Sequence, residues 1–307
     1  MRVGAVDVGT NTTRLLVADV EDGRVRELHR ETRITRLGEG VDARKRLLPA
    51  PVARVRNALA DYRRTLESLD AERVLLVATS AVRDAENGEA FLGEIEWSYG
   101  FATSLVSGEE EAELTRRGVQ PRPETLVLDI GGGSTELLVD DLHVSLDIGS
   151  VRFTERFIHA DPPAARELDA CAEAVRTALG GRVEAAPRRA IGVAGTVTSL
   201  AALDLGLDVY DRERVHGHVL TLEGARVQLA RLAALPVAQR REVPALEPER
   251  APVIVAGAVI LVETLSYFGL DAIEASERDI LDGIALAAAE LPARDEGEAP
   301  PGAYTCC

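Results

Sequence analysis

The chain has 307 residues, enough for two domains of ordinary size, and 46% of them are apolar, enough for full cores. A formal charge of −16 argues against nonspecific binding to nucleic acid or to an anionic membrane surface. The imbalance is uneven: residues 1–120 carry 18 basic and 21 acidic side chains, residues 121–307 carry 17 and 30, so the first half is the better host for an anion.

Residues 2–8, 13–20 and 24–30 read as three short strands, with a turn at Glu21-Asp22-Gly23. A polar, glycine-containing loop follows over 33–41. Pro51 opens a helix whose Val52, Val55, Leu59, Tyr62 and Leu66 share one face. The apolar run 74–78 predicts a buried strand. Thr79-Ser-Ala-Val-Arg-Asp84 lies just past its carboxyl end, where open α/β sheets gather ligands, so Ser80 and Arg83 are candidate contacts. The plainer use of Arg83 is a surface ion pair with Asp84 or Glu86. Residues 103–106 predict another strand, and Glu109, Glu110 and Glu111 open the next helix. Ser107 and Glu110 have capping-box spacing, and carboxylates favour a helix start. A carboxylate crowded by others also has its pKa raised and can act as a base, but spacing alone does not choose among the three.

Pro121-Arg-Pro123 is the expected linker between domains at 1–120 and 124–291. Beyond it, Leu126-Val-Leu-Asp-Ile-Gly-Gly-Gly-Ser-Thr-Glu-Leu-Leu-Val139 reads as strand, glycine turn, strand. Gly131, Gly132 and Gly133 let the backbone approach a ligand and present successive N–H groups, which suits a phosphate. Ser134 and Thr135 add donors, while Asp129 and Glu136 can hold a divalent cation that screens the phosphate charge. The N-terminal stretch Val6-Asp-Val-Gly-Thr-Asn-Thr-Thr-Arg-Leu-Leu-Val17 matches it at a constant offset of 122 residues. Asp7 falls on Asp129, Gly9 on Gly131 and Thr13 on Thr135. A repeat this long predicts two similar domains, each presenting an Asp-x-Gly hairpin to a cleft between them.

Residues 144–151 predict a further strand, and Asp161-Pro-Pro-Ala opens a helix to about 179. Residues 190–194 predict a strand that turns at Gly195-Thr-Val-Thr-Ser199 into a helix; this small-residue turn suits either an anion or close packing. His216 and His218 would share one face of a strand, without a third zinc-type ligand nearby. Residues 250–268 predict a buried helix. Residues 276–291 predict the last one, with Ser276 as N-cap and Pro292 as its stop. The tail 292–307 is expected to be disordered. Cys171, Cys306 and Cys307 form neither a disulfide framework nor a metal spacing. No signal peptide or run long enough to span a bilayer is read, and the expectation is a cytoplasmic protein.

Assembled, these pieces resemble the exopolyphosphatase/guanosine pentaphosphate phosphohydrolase family, across roughly residues 1–290. The resemblance is carried by Asp7-Val-Gly-Thr-Asn-Thr, Arg36-Leu-Gly-Glu-Gly-Val, Ala78-Thr-Ser-Ala-Val-Arg-Asp-Ala, Ser107-Gly-Glu-Glu-Glu-Ala and Asp129-Ile-Gly-Gly-Gly-Ser-Thr-Glu, supported by Gly195-Thr, Val215-His-Gly and Ser276-Glu. It implies an α/β fold of two ribonuclease-H-like domains, of the actin and sugar-kinase type, flanking a central cleft. It implies Glu111 as the catalytic base, Gly9, Thr10, Asn11, Gly131, Gly132, Gly133 and Ser134 as phosphate-binding positions, and Arg83 as a phosphate contact. Asp129 and Glu136, with Asp7, become expected ligands of Mg²⁺ or another divalent cation. The implied activity is removal of the terminal phosphate of inorganic polyphosphate by a homodimer. Longer relatives carry extra C-terminal helical domains, one with His-Asp dipeptides. This chain has no His-Asp pair and resembles the short form, which favours short polyphosphate chains. The alternatives are guanosine pentaphosphate as substrate, a kinase of the same superfamily, or a non-catalytic polyphosphate or alarmone sensor.

Overall fold

The computed structural model describes residues 1–292 apart from Arg182 and Glu184. Residues 293–307 of the expected tail, with Cys306 and Cys307, lie outside the described residues. The chain runs β1 (Arg2–Val8), β2 (Thr12–Glu21), β3 (Arg24–Ile34), α1 (Val41–Arg44), α2 (Pro49–Ser68), β4 (Arg73–Ala78), α3 (Ser80–Arg83), α4 (Gly88–Tyr99), β5 (Ala102–Leu105) and α5 (Gly108–Val119). It continues through β6 (Thr125–Ile130), β7 (Thr135–Val139), β8 (Leu142–Leu146), α6 (Ser150–Phe157), α7 (Ala165–Leu179), β9 (Arg189–Val193) and α8 (Ala194–Asp204). Then come α9 (Arg212–Val215), β10 (Val219–Thr221), α10 (Leu222–Ala233), α11 (Val237–Arg240), α12 (Ile254–Tyr267), β11 (Ala272–Ala275) and α13 (Ile280–Glu290). Two units result among the described residues: 1–119 together with 280–292, and 120–279.

In the first unit the strand order is β3-β2-β1-β4-β5. β1, β2 and β3 form an antiparallel meander, and β4 and β5 join parallel to β1. Strand alternation sends Val6, Val8, Leu15 and Val17 into a core with Val55, Leu59 and Tyr62 of α2 and Phe91, Leu92 and Ile95 of α4. Val3, Ala5, Leu16 and Ala18 face the other way and pack with Ile280, Leu281, Ile284, Ala285 and Ala288 of α13.

This placement of α13 departs from the sequence expectation, which assigned residues 276–291 to the second domain. The helix starts at Ile280, and Ser276 is no cap: its Oγ accepts from Arg278 N at 3.1 Å and donates to Arg278 O at 2.8 Å. The apolar stripe of α13 closes the face of the first sheet that α2 and α4 leave open. Each fully buried Leu or Ile there contributes ~1.5–3 kcal/mol relative to exposure. Arg30 Nη2 holds Asp282 at 2.8 Å, and a Cβ at Gly283 would overlap the carbonyl oxygen of Leu114 in α5.

The second unit repeats the pattern. Its order is β10-β11-β9-β6-β7-β8, with β6, β7 and β8 an antiparallel meander and β9 and β11 joined in parallel. The five strands β8-β7-β6-β9-β11 thus reproduce β3-β2-β1-β4-β5, and β10 is an extra antiparallel edge. Every residue of β6 is buried, as a central strand covered on both faces requires. The strand expected at 144–151 stops at Leu146, because Gly149 turns the chain into α6 from Ser150. The helix expected from Asp161 begins at Ala165, and the one expected from Arg250 begins at Ile254. His216 and His218 precede β10 rather than lying in a strand. Among the described residues, no helix is long and apolar enough to cross a membrane.

Candidate active site

In the first unit the turn between β1 and β2 is closed by Gly9 N donating to Thr12 O at 2.9 Å. The loop after β3 clamps it from one side. Thr35 N and Arg36 N donate to Asn11 O at 3.0 and 2.9 Å, and Gly38 N donates to Thr10 O at 2.8 Å. That loop is the Arg36-Leu-Gly motif, so its glycine and backbone serve to fix the hairpin. Among the described residues no protein acceptor meets the amides of Thr10 or Asn11. The side-chain oxygen of Asn11 is buried without a hydrogen-bond partner, though the residue is only 7% exposed. Buried polar atoms are ordinarily satisfied, so this one marks a place built for a further polar group.

Asp7, at the end of β1, pairs in register with Arg14 of β2. Directly opposed residues of an antiparallel pair point to the same face. Arg14 uses both Nε and Nη2 on Asp7 Oδ2, at 2.9 and 2.7 Å. Asp7 was an expected metal ligand; here its charge is already matched by a guanidinium. Arg14 was missed in the sequence, although the repeat held the signal: the position 122 residues on is Glu136.

The three consecutive glutamates separate once folded. Glu110 closes the capping box, accepting from Ser107 N at 2.8 Å while Glu110 N donates to Ser107 Oγ at 3.2 Å. These bonds, the backbone one first, hold the Glu110 carboxyl below its ordinary range. Glu109 and Glu110 are exposed, while Glu111 is only 8% exposed. Arg83 at the end of α3 donates from Nη1 to Val106 O at 2.8 Å and to Glu111 Oε2 at 3.4 Å. The surface pairing with Asp84 or Glu86 is therefore not the contact that orients this arginine. Helix α5 thus points one carboxylate inward beside a cation and leaves the other two to the cap and the solvent.

In the second unit the matching turn is closed the same way, by Gly131 N donating to Ser134 O at 3.0 Å. Here the clamp is the first turn of α6. Ser150 N donates to Gly131 O at 2.9 Å, and Val151 N and Arg152 N donate to Gly132 O at 2.9 and 3.1 Å. Arg152 Nε donates to Gly133 O at 2.6 Å. A Cβ at Gly149 would overlap the carbonyl of Gly132, so only glycine lets α6 come this close. Among the described residues no protein acceptor meets the amides of Gly132, Gly133 or Ser134. A glycine turn with its carbonyls tied back and its amides forward is a nest for an anion.

Asp129 of β6 pairs in register with Glu136 of β7. Leu126, Leu128 and Ile130 point into the core, so Val127 and Asp129 alternate to the opposite face. The two carboxyls are 6% and 1% exposed. Glu136 Oε1 accepts from Ser145 Oγ at 2.9 Å. The described residues contain no cluster of three or more His, Cys, Asp or Glu that could hold a metal. Mg²⁺ does not require one, because it keeps several waters and is commonly bound by one or two carboxylates plus substrate phosphate. The hard oxygens of Asp129 and Glu136 fit such an ion.

Other motifs take structural roles. Gly195 lies under the Arg250 guanidinium and Gly257 lies against Thr196, so the turn into α8 is one of close packing. His218 Nε2 is 2.8 Å from Asp204 Oδ2, and His216 Nδ1 accepts from Glu277 N at 3.3 Å. Glu277 also takes Arg212 Nε at 2.7 Å. The Cys171 thiol is buried, which pushes its pKa up to about 12.

Residues 16–290 match the model of the Ppx/GppA phosphatase family. The chain is 40% identical to Exopolyphosphatase 2 of Mycobacterium tuberculosis over 94% of its own length and 98% of that protein's. Among solved structures it is similar to an exopolyphosphatase-like protein, with 34% identity and a TM-score of 0.89 over 93% of this chain and 97% of that one. The Aquifex aeolicus member of the Ppx/GppA family gives 31% identity and a TM-score of 0.78, over 94% of this chain and 98% of that one.

Proposed function

The chain belongs to the Ppx/GppA phosphatase family, and from that premise we propose that it is an exopolyphosphatase, hydrolysing the terminal phosphate of inorganic polyphosphate. The observation that carries this reading is the second hairpin, where amides without protein acceptors follow directly on a buried carboxyl pair. Open amides beside hard carboxylate oxygens suit a phosphate that arrives with a divalent cation. It also answers the objection raised by a net charge of −16, since backbone dipoles and a divalent cation, rather than the acidic surface, would meet the anion.

In the first unit, the amides of Thr10 and Asn11 and the guanidinium of Arg83 are available to phosphate oxygens, and Glu111 is the base. Glu111 orients a water, whose oxygen attacks the terminal phosphorus. The bond from that phosphorus to the bridging oxygen breaks, and Glu111 takes the water proton. In the second unit, the amides of Gly132, Gly133 and Ser134 are likewise available to phosphate oxygens. A divalent cation, held by Asp129 and Glu136 when bound, would neutralise charge on the phosphoryl oxygens. Positioning and electrostatics supply most of the rate in such a reaction, and one well-aimed donor contributes ~3 kcal/mol. Mg²⁺ as the ion, short chains as the preferred substrate, a homodimer and a cytoplasmic location belong to the same reading and rest on the family resemblance.

The test is phosphate release, with Mg²⁺ or EDTA, from short polyphosphate, long polyphosphate and guanosine pentaphosphate. Mg²⁺-dependent release from short polyphosphate is the expected result. Release from the nucleotide alone would move the substrate to the alarmone. Binding without release would make the protein a sensor.

A further inference from the structure

The second hairpin presents three consecutive peptide planes to the anion side, and each is fixed by where its carbonyl is held. A trans peptide is planar, so its C=O and the following N–H point in opposite directions. Holding Gly131 O aims the N–H of Gly132, and holding Gly132 O aims that of Gly133. Backbone amides of α6 do both, with Ser150 Oγ adding a bond to Gly131 O at 3.2 Å. The third carbonyl, Gly133 O, receives no backbone amide. Among the described residues its donor is Arg152 Nε, at 2.6 Å. Fixing that carbonyl aims the N–H of Ser134.

Arg152 is 7% exposed, and its Nη2 lies 3.9 Å from Asp147 Oδ1 on an exposed side chain. A buried guanidinium behind the turn adds positive potential on the face where the amides emerge. In the first unit, by contrast, backbone amides alone hold the carbonyls of Thr10 and Asn11. The second hairpin has two more glycines than the first, and a side chain restrains the last of them.

We propose that Arg152 is a positioning residue for phosphoryl transfer, which orients the Ser134 amide toward the substrate through the carbonyl of Gly133; this rests on the hydrolase reading above. Its part is to hold a carbonyl rather than to carry out the chemistry. Arg152→Lys keeps the charge and loses the planar guanidinium whose Nε makes the bond. With tripolyphosphate and Mg²⁺, its kcat is expected to fall ~10- to 100-fold while KM stays within about threefold, because the misaimed amide acts on charge developed in the transition state. The melting temperature should stay near that of the native protein.

A native kcat in the folded variant, or a loss of rate no greater than the loss of folded protein, would overturn the proposal. A second measurement uses the unaltered protein, so it decides the matter even if the variant does not fold. On adding inorganic phosphate and Mg²⁺, the Ser134 amide resonance should shift together with those of Gly132 and Gly133. A Ser134 resonance that stays fixed while Gly132 moves would also overturn it. Failure of the native protein to release phosphate would sink the hydrolase reading, and the amide titration would still report on Arg152.

Discussion

The hairpins at Asp7 and Asp129 share their turn bond, their strand register and their place in a repeated sheet, yet they differ at one position that reverses their electrostatics. Arg14 faces Asp7, whereas Glu136 faces Asp129. The first hairpin is thereby self-neutralised and offers an anion only its backbone and Asn11. The second sets two buried acids face to face across its strands. A duplicated element thus carries an acid–base pair in one unit and an acid pair in the other. The backbone sets what each hairpin can hold, and a single cross-strand partner decides its charge.

The largest effect is expected at the base. Glu111→Gln should lower turnover by ~100-fold or more while leaving polyphosphate binding near native, and Glu110→Gln should leave turnover largely intact. Equal losses in the two variants would remove the distinction drawn from their burial. Next come the carboxyls of the two hairpins. Asp129→Asn and Glu136→Gln should each raise the Mg²⁺ concentration for half-maximal activity ~10-fold or more, and Asp7→Asn should not. A metal titration that moves as far for Asp7→Asn would keep Asp7 in the ligand set.

The Arg14 partner is tested through stability. Arg14→Met takes the matching cation from a buried carboxylate and is expected to cost ~3–5 kcal/mol at neutral pH by denaturant unfolding. Arg14→Glu reproduces the acid pair of the second hairpin, and its stability should recover in part on adding Mg²⁺. Insensitivity of that variant to Mg²⁺ would show that paired acids alone do not make the cation site. The smallest effect is at the cap. Because Glu110 titrates below its usual value of 4.5 when folded, its stabilisation is complete above that pH and lost as pH falls through the folded value. Glu110→Gln should therefore narrow the gap in melting temperature to the native protein as the pH is lowered.

Much of this was legible in the sequence because it is periodic or local. The offset between Asp7 and Asp129 announced the duplicated sheet, and the capping-box spacing of Ser107 and Glu110 held in space. What was not legible depended on tertiary partners. Glu111 differs from Glu109 and Glu110 only in the direction its helix faces. Arg152 gave no pattern, because it bonds to a carbonyl 19 residues away. The stretch 144–151 looked like a strand until Gly149 brought α6 against the turn. Helix α13 is apolar along a stripe, and nothing in the stripe says which sheet it will cover.

That last helix has a consequence for how the protein comes into being. The second unit is one uninterrupted segment and can fold as soon as it has been synthesised. The first unit is complete only when Ile280–Glu290 arrives to cover the apolar face of β1, β2 and β4. Synthesis begins with the first unit, but its folding is expected to finish last. Until then the nascent chain carries an open hydrophobic sheet, and a ribosome stalled anywhere before residue 280 would hold a protein with one mature half and one that cannot close.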